Sequence, residues 1–107
     1  MNWNIEYRPE ALDDLKELDG SQKAPVLKAI DKVSTNPLPD YEGGYGKPLG
    51  NKNGNNLAGF LKIKLKKSGI RVVYDLVRED KNMRIIIIGI RSDNEVYDLA
   101  KNRIEKL

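Results

Sequence analysis

The alternation of apolar and polar residues changes its period several times along the chain. At the start, Trp3, Ile5 and Tyr7 alternate with polar residues. A period of two places alternate side chains on opposite faces of a strand, so we expect a half-buried strand over residues 3–8. From residue 9 to residue 36 the apolar residues recur every three or four positions, which predicts two helices in succession.

The two predicted helices have recognisable ends. Pro9 suits the first position of a helix because its missing N–H falls among donors that have no partner in the first turn. We expect Gly20 to end this helix, Ser21 to cap the second one, and Pro37 to stop it. The pair should form an antiparallel helical hairpin. The apolar positions expected to face a core are Ala11, Leu12, Leu15 and Leu18 in the first helix and Val26, Leu27, Ile30 and Val33 in the second.

The second half of the chain has a different pattern. Residues 40–59 are rich in glycine and asparagine and show no periodicity, which predicts a long irregular connection. Three strands are expected over residues 60–66, 70–77 and 83–90, the last apolar on both faces, as in a central strand. Ser92 and Glu95 match a capping box, so a final helix should begin there.

These elements predict an α+β fold. A small antiparallel sheet would pack against an N-terminal helical hairpin and a C-terminal helix in the order β-α-α-β-β-β-α, within a single domain of residues 1–107.

Composition limits the location and the chemistry. No apolar run approaches the roughly 20 residues that a membrane-spanning helix needs, and the N-terminus lacks a signal-peptide pattern. The chain has no cysteine, so it needs no oxidising compartment, and we expect a cytoplasmic protein. The absence of histidine and cysteine excludes imidazole catalysis, thiol nucleophiles and most transition-metal sites. We therefore expect no cofactor and no metal.

Charge is distributed unevenly. Residues 1–46 carry a net charge of −4 and residues 47–107 a net charge of +7. On the strand expected from residue 60, Lys62 and Lys64 share one face about 7 Å apart, and a tight turn over residues 66–69 brings Arg71 to the same side. We call this surface, formed by Lys62, Lys64 and Arg71, the cationic face. It suggests a polyanionic ligand, although a solubilising surface or the protective lysines of an edge strand would look similar.

Two further residues are candidates for the cationic face. Arg91 directly follows the buried strand, and Tyr97 lies in the first turns of the last helix. The alternatives are a tyrosine at the edge of the core and an arginine paired with Glu95 or Asp93. A set of Lys, Arg and Tyr suits metal-free cleavage of RNA, in which cations stabilise the charge on the phosphorane and the 2′-hydroxyl is the nucleophile.

Four motifs occur in a fixed order: K-I-K-L and S-G-x-R-V-V-Y within residues 60–74, G-x-R at residues 89–91, and E-V-Y at residues 95–97. Together they resemble the RelE branch of the RelE/ParE toxin superfamily over roughly residues 47–105. The resemblance implies a toxin of a type II toxin–antitoxin system that cleaves mRNA in the ribosomal A site. It also implies that a cognate antitoxin wraps the toxin and inhibits it.

The resemblance assigns roles to individual residues. Lys62 and Lys64 would act on the 2′-hydroxyl proton and on the transition-state charge, and Arg71 would hold the scissile phosphate. Arg91 would be a general acid or a phosphate clamp, and Tyr97 would stack on the substrate or orient it. The full set implied by the resemblance is Lys62, Lys64, Arg71, Arg91 and Tyr97 for catalysis, with Lys66 and Lys67 as RNA-binding residues.

Two departures from the family keep other functions open. Ile90 stands where the closest members often place another cation, and the connection over residues 43–59 is longer than expected. Because the superfamily shares one fold, a ParE-like inhibitor that binds DNA gyrase without RNA chemistry is an alternative. A catalytically weakened toxin that only binds its antitoxin is another.

Overall fold

The computed structural model describes residues 2–52, 54–90 and 93–106, which form one sheet with helices on both faces. The elements are β1 (Asn4–Tyr7), α1 (Pro9–Glu17), α2 (Gly20–Ser34), a 3₁₀ helix (Asp40–Glu42), β2 (Lys47–Lys52), β3 (Asn55–Lys64), β4 (Arg71–Val77), β5 (Asn82–Gly89) and α3 (Asp93–Glu105). The α+β class and the predicted succession of elements are confirmed, with one additional strand, β2.

The sheet has the strand order β1-β5-β4-β3-β2. The neighbours from β5 to β2 are antiparallel, as expected, whereas β1 pairs with β5 in parallel, which the sequence did not suggest. This pairing ends where Tyr7 meets Ile85, so β1 covers only the first half of β5. The four consecutive isoleucines of β5 are all buried, which confirms a strand that is apolar on both faces.

The expectation of an irregular connection over residues 40–59 is wrong. The structure places β2 and the first half of β3 there, joined as an antiparallel pair in which Lys47 lies opposite Lys62. Glycine and asparagine have low strand propensity and hide the alternation, and the register shifts between Pro48 and Gly50. Backbone hydrogen bonds hold β2 and β3 together, although their side chains over residues 47–59 show no strand pattern.

Two predicted helix ends also differ. The first helix ends at Glu17 rather than Gly20, and the second is capped by Asp19 rather than Ser21. The Asp19 carboxylate accepts hydrogen bonds from Ser21 Oγ at 2.6 Å and from the Gln22 amide at 3.0 Å. Both bonds favour the ionised carboxylate and lower the pKa of Asp19. The predicted cap Ser92 lies outside the described residues.

The core consists of two clusters on opposite faces of the sheet. The larger one lies under α1 and α2, although Leu12 and Leu27, which were expected to face it, are exposed. The smaller one lies under α3 and includes Val73, Ile87 and Tyr97. At Gly89 the helix comes so close that an added Cβ would stand 2.5 Å from Val96 Cγ2. No helix of the described chain is both long and apolar enough to cross a membrane.

The segment between α2 and β2 is held tightly against the sheet. The buried Tyr74 hydroxyl donates a hydrogen bond of 2.8 Å to the carbonyl of Pro37, and burial raises the pKa of Tyr74. The Asp40 amide donates to the Gly46 carbonyl at 2.8 Å, which closes the loop around the 3₁₀ helix. Gly44 packs so closely on Leu38 that no side chain would fit there.

Candidate nucleic-acid interface

The β3–β4 hairpin brings together the cations of the cationic face. Lys64 lies directly opposite Arg71, one of the two registers expected from the turn. The Leu65 amide donates to the Ile70 carbonyl at 2.9 Å, and Gly69 adopts a φ of 74° that completes the turn over residues 66–69. Directly opposite residues of an antiparallel pair share a face, so Lys64 and Arg71 stand side by side.

Lys62 stands on the same side of the sheet, next to α3. It lies opposite Val73, a member of the cluster under this helix, and is half-buried where Lys64 is exposed. Its ammonium donates a hydrogen bond of 3.3 Å to the hydroxyl of Tyr97 and lies 6.0 Å from the centre of the Tyr97 ring. The contact joins β3 to α3 across 35 positions of the chain.

Tyr97 is a core residue whose hydroxyl contacts Lys62 of the cationic face. Only 4% of its surface is exposed, and its ring packs among the apolar residues under α3. A covered ring cannot stack on a base in this conformation. Its hydroxyl, in contrast, reaches Lys62 and holds the ammonium in place. Of the two roles implied by the resemblance, orientation is compatible with this geometry, and stacking would require α3 to move.

Arg71 is held close to the turn. Its Nη1 donates to the Gly69 carbonyl at 2.7 Å, and the side chain is half-buried. The next residue across the sheet from Arg71 is Gly89 of β5, which has no side chain to cover it. Lys66 and Lys67 are exposed in the turn beside this position. Arg91, which was predicted to join the cationic face, lies outside the described residues.

The sequence did not indicate one cation of this region, Lys47. Lys47 on β2 lies directly opposite Lys62 and is exposed, so it extends the cationic face by one strand. Nothing in its local sequence marks it, because its position depends on the unexpected pairing of β2 with β3.

The electrostatics of the cationic face are unfavourable for folding. No carboxylate of the described chain forms an ion pair with Lys47, Lys62 or Lys64. Like charges directly opposite each other on a sheet are destabilising. Among the same described residues, no group of three carboxylates could hold a metal ion. The surface therefore concentrates positive charge that can attract an anionic ligand.

Sequence comparison with known proteins shows the family of this chain. No family model matches the chain. A protein of Escherichia coli named as a RelE-like toxin protein is 30% identical over 105 residues, which cover 97% of this chain and 99% of that protein. The chain belongs to the RelE-like toxin family. The mRNA interferase toxin RelE of E. coli K12 is 27% identical over 104 residues, with the same two coverages.

A solved structure agrees with this RelE-like assignment at the level of the fold. It contains a double mutant of the E. coli toxin RelE in complex with a peptide of the antitoxin RelBc. The TM-score is 0.69 at 24% identity, and the match covers 94% of this chain and 95% of that one.

Proposed function

We propose that this RelE-like toxin is a ribosome-dependent endoribonuclease that cleaves mRNA and is inhibited by a cognate antitoxin. The observation that carries the proposal is the meeting of Lys62, Lys64 and Arg71 on one face, with the Tyr97 hydroxyl on Lys62. The relative named mRNA interferase toxin RelE supports the activity. The structural neighbour that holds an antitoxin peptide supports the partner. We further propose that residues 1–107 are one toxin domain acting in the cytoplasm.

The proposed reaction is an in-line transesterification. The 2′-oxygen of the RNA attacks the adjacent phosphorus, the bond from phosphorus to the 5′-oxygen breaks, and a 2′,3′-cyclic phosphate and a 5′-hydroxyl are formed. Lys62 or Lys64 accepts the 2′-hydroxyl proton, and the other lysine stabilises the charge on the phosphorane. Tyr97 positions Lys62 through its hydrogen bond. No cofactor takes part.

The remaining cations bind the phosphate chain. Arg71 suits the scissile phosphate because its planar guanidinium can donate two hydrogen bonds to one phosphate group. We assign Arg91 to protonation of the leaving 5′-oxygen or to a second clamp on the phosphate. Lys66 and Lys67, exposed beside Arg71, would contact the neighbouring phosphates, and Lys47 would extend this contact beyond Lys62.

The test is to induce the protein in growing cells and to map the 5′ ends of translated messages. Arg71→Ala should reduce cleavage about 10²–10³-fold, the usual cost of removing one group that stabilises a transition state. Lys28→Ala is the matched control, because Lys28 is an exposed lysine of α2 on the opposite side of the sheet. Unchanged toxicity of Arg71→Ala would remove the catalytic assignment. Arrest of DNA replication with intact translation would instead favour the gyrase-inhibitor alternative.

A further inference from the structure

The start of α3 packs directly on a glycine of the sheet. A Cβ atom added to Gly89 would stand 2.5 Å from Cγ2 of Val96, 3.3 Å from its Cγ1 and 3.4 Å from its Cβ. Val96 is buried, with 1% of its surface exposed. Ordinary contacts of a Cβ atom begin at 3.4 Å, so an alanine at position 89 would have to push Cγ2 of Val96 outwards from 2.5 Å to at least that distance.

Neither partner can relieve this contact by a local change. Valine branches at Cβ and keeps one preferred χ1 rotamer in a helix. The second methyl group of Val96 is also close to the added atom, so a rotation about χ1 gives no relief. On the other side, Gly89 is held in the sheet by its pairing with Arg71 of β4. A side chain at position 89 would therefore lift the first turns of α3 away from the sheet.

Such a shift would act on the next residue of the helix, Tyr97. The hydroxyl of Tyr97 accepts a hydrogen bond of 3.3 Å from the ammonium of Lys62. A donor and an acceptor about 3.6 Å apart no longer form a hydrogen bond. The bond therefore tolerates a smaller displacement of α3 than a Cβ atom at Gly89 would require. The missing side chain of Gly89 is what allows Tyr97 to reach Lys62.

Gly89 also borders the other end of the cationic face. It lies directly opposite Arg71, and directly opposite residues of an antiparallel pair share a face of the sheet. A side chain at position 89 would therefore stand beside Arg71, which is half-buried and donates from Nη1 to the Gly69 carbonyl at 2.7 Å. One glycine thus touches the surroundings of Arg71 through the sheet and those of Lys62 through α3.

We propose that Gly89 is a positioning residue of the ribonuclease site: because it has no side chain, α3 lies close enough to the sheet for Tyr97 to hold Lys62 in place. The proposal rests on the proposed function. Gly89 acts through Val96 and Tyr97 and needs no contact with the RNA. The rival explanation is a glycine that serves only the packing of the core. The two explanations differ in whether the effect of a substitution passes through Tyr97.

The first experiment measures message cleavage in cells at equal protein levels. Gly89→Ala and Tyr97→Phe should each reduce cleavage about 10- to 100-fold, the usual effect of losing one hydrogen bond to a charged group. The double variant should be no worse than either single one, because both changes remove the same contact. Gly20→Ala is the matched control and should leave cleavage unchanged, since an added Cβ there meets no atom of the described chain within 4 Å. Losses that multiply in the double variant would overturn the proposal.

A compensating substitution tests the close contact itself. Val96→Ala removes both methyl groups nearest to the added Cβ, so Gly89→Ala combined with Val96→Ala should fit without lifting α3. Val96→Ala alone leaves a cavity and should lower the midpoint of urea unfolding, and the added methyl group should raise it again. Cleavage by the combined variant should equal that of Val96→Ala. No recovery relative to Gly89→Ala, or a Gly89→Ala protein that does not fold at all, would show that the glycine serves only the core.

A measurement without cleavage separates this proposal from the proposed function. The ¹³Cζ nuclear magnetic resonance signal of Tyr97, assigned by its loss in Tyr97→Phe, should shift when Lys62→Met removes the hydrogen-bond donor. In the Gly89→Ala protein the same Lys62→Met change should leave the signal nearly unmoved. Equal shifts in both proteins would overturn the role of Gly89 even if cleavage occurs as proposed. If Arg71→Ala leaves cleavage intact, the proposed function fails, and the Tyr97 signal still decides whether Gly89 positions this contact.

Discussion

Among the described residues, charged side chains form ion pairs in one region of the sheet and lack carboxylate partners in another. At the open half of β5, Asp14 of α1 accepts a hydrogen bond from the Ile88 amide at 3.0 Å and from Arg103 of α3 at 2.6 Å. Arg103 also donates to the Ile86 carbonyl at 3.0 Å. On the cationic face, Lys62 and Lys64 stand side by side, and no carboxylate of the described chain pairs with either.

The difference separates Asp14 and Arg103, which pair within the fold, from Lys62 and Lys64, which have no carboxylate partner among the described residues. On the side away from β4, β1 pairs only with the first half of β5, so the second half has no strand partner on that edge. Exposed strand edges invite pairing with other chains. The Asp14–Arg103 pair satisfies the backbone groups of this edge and links both helices to it. The hydrogen bond with Asp14 is also the main reason why the pKa of Arg103 is raised. Lys62 and Lys64 gain no such ion pair among the described residues, and in the proposed function the RNA supplies the opposite charge.

The largest expected effect is on activity at the cationic face. Lys62→Met should reduce the proposed ribosome-dependent message cleavage about 10²–10³-fold, because in the proposed mechanism Lys62 acts on the reacting atoms. The midpoint of urea unfolding should stay the same or rise slightly, since the change relieves repulsion with Lys47. Lys16→Met, at an exposed position of α1, serves as the control for both measurements. Normal cleavage by Lys62→Met, or a clear loss of stability, would remove the contrast between the two regions.

The next effect is on stability at the edge of β5. Asp14→Ala should lower the free energy of unfolding by about 2–3 kcal/mol, because it leaves the Ile88 amide and the Arg103 guanidinium without their acceptor. Urea unfolding followed by circular dichroism measures this change. Asp13→Ala, at the neighbouring exposed position, should cost less than about 0.5 kcal/mol. Equal values for the two variants would show that Asp14 is an ordinary surface charge.

The smallest effect concerns the partly exposed ion pair between Arg78 and Glu42. Hydrogen bonding to Arg78 lowers the pKa of Glu42 in the folded state. The ionised Glu42 carboxylate therefore contributes to stability above the ordinary glutamate pKa of about 4.3. This contribution is lost as the pH falls through the lower pKa that Glu42 has in the folded protein. The stability difference between the original protein and Glu42→Gln should shrink as the pH is lowered from 6 towards about 3. A difference independent of pH would mean that the pair contributes nothing through charge.

Local signals predicted much of the fold. The alternation of residues 60–64, the turn at residues 66–69 and the alternation that follows specified the β3–β4 hairpin, and the structure confirms Lys64 opposite Arg71. The hairpin could be predicted because its residues are neighbours in sequence and its register follows from one turn.

Local sequence signals could not predict the long-range contacts. The pairing of Lys47 with Lys62 depends on β2, whose glycines and asparagines carry no strand pattern. The hydrogen bond between Lys62 and Tyr97 spans 35 positions, and that between Asp14 and Arg103 spans 89. The periodicity of α3 placed Tyr97 only at the edge of an apolar stripe. It could not show which strand the hydroxyl would meet.

The sequence by itself determined the α+β class, the cationic hairpin of β3 and β4, and the exclusion of imidazole and thiol chemistry. Period, turn residues and composition are properties of neighbouring residues, so they need no fold to be interpreted. Only the tertiary structure decided that Tyr97 is buried with its hydroxyl on Lys62, that Lys47 extends the cationic face, and that Asp14 and Arg103 complete the edge of β5. These outcomes depend on how the sheet pairs and how helices pack across it, and no local pattern specifies either.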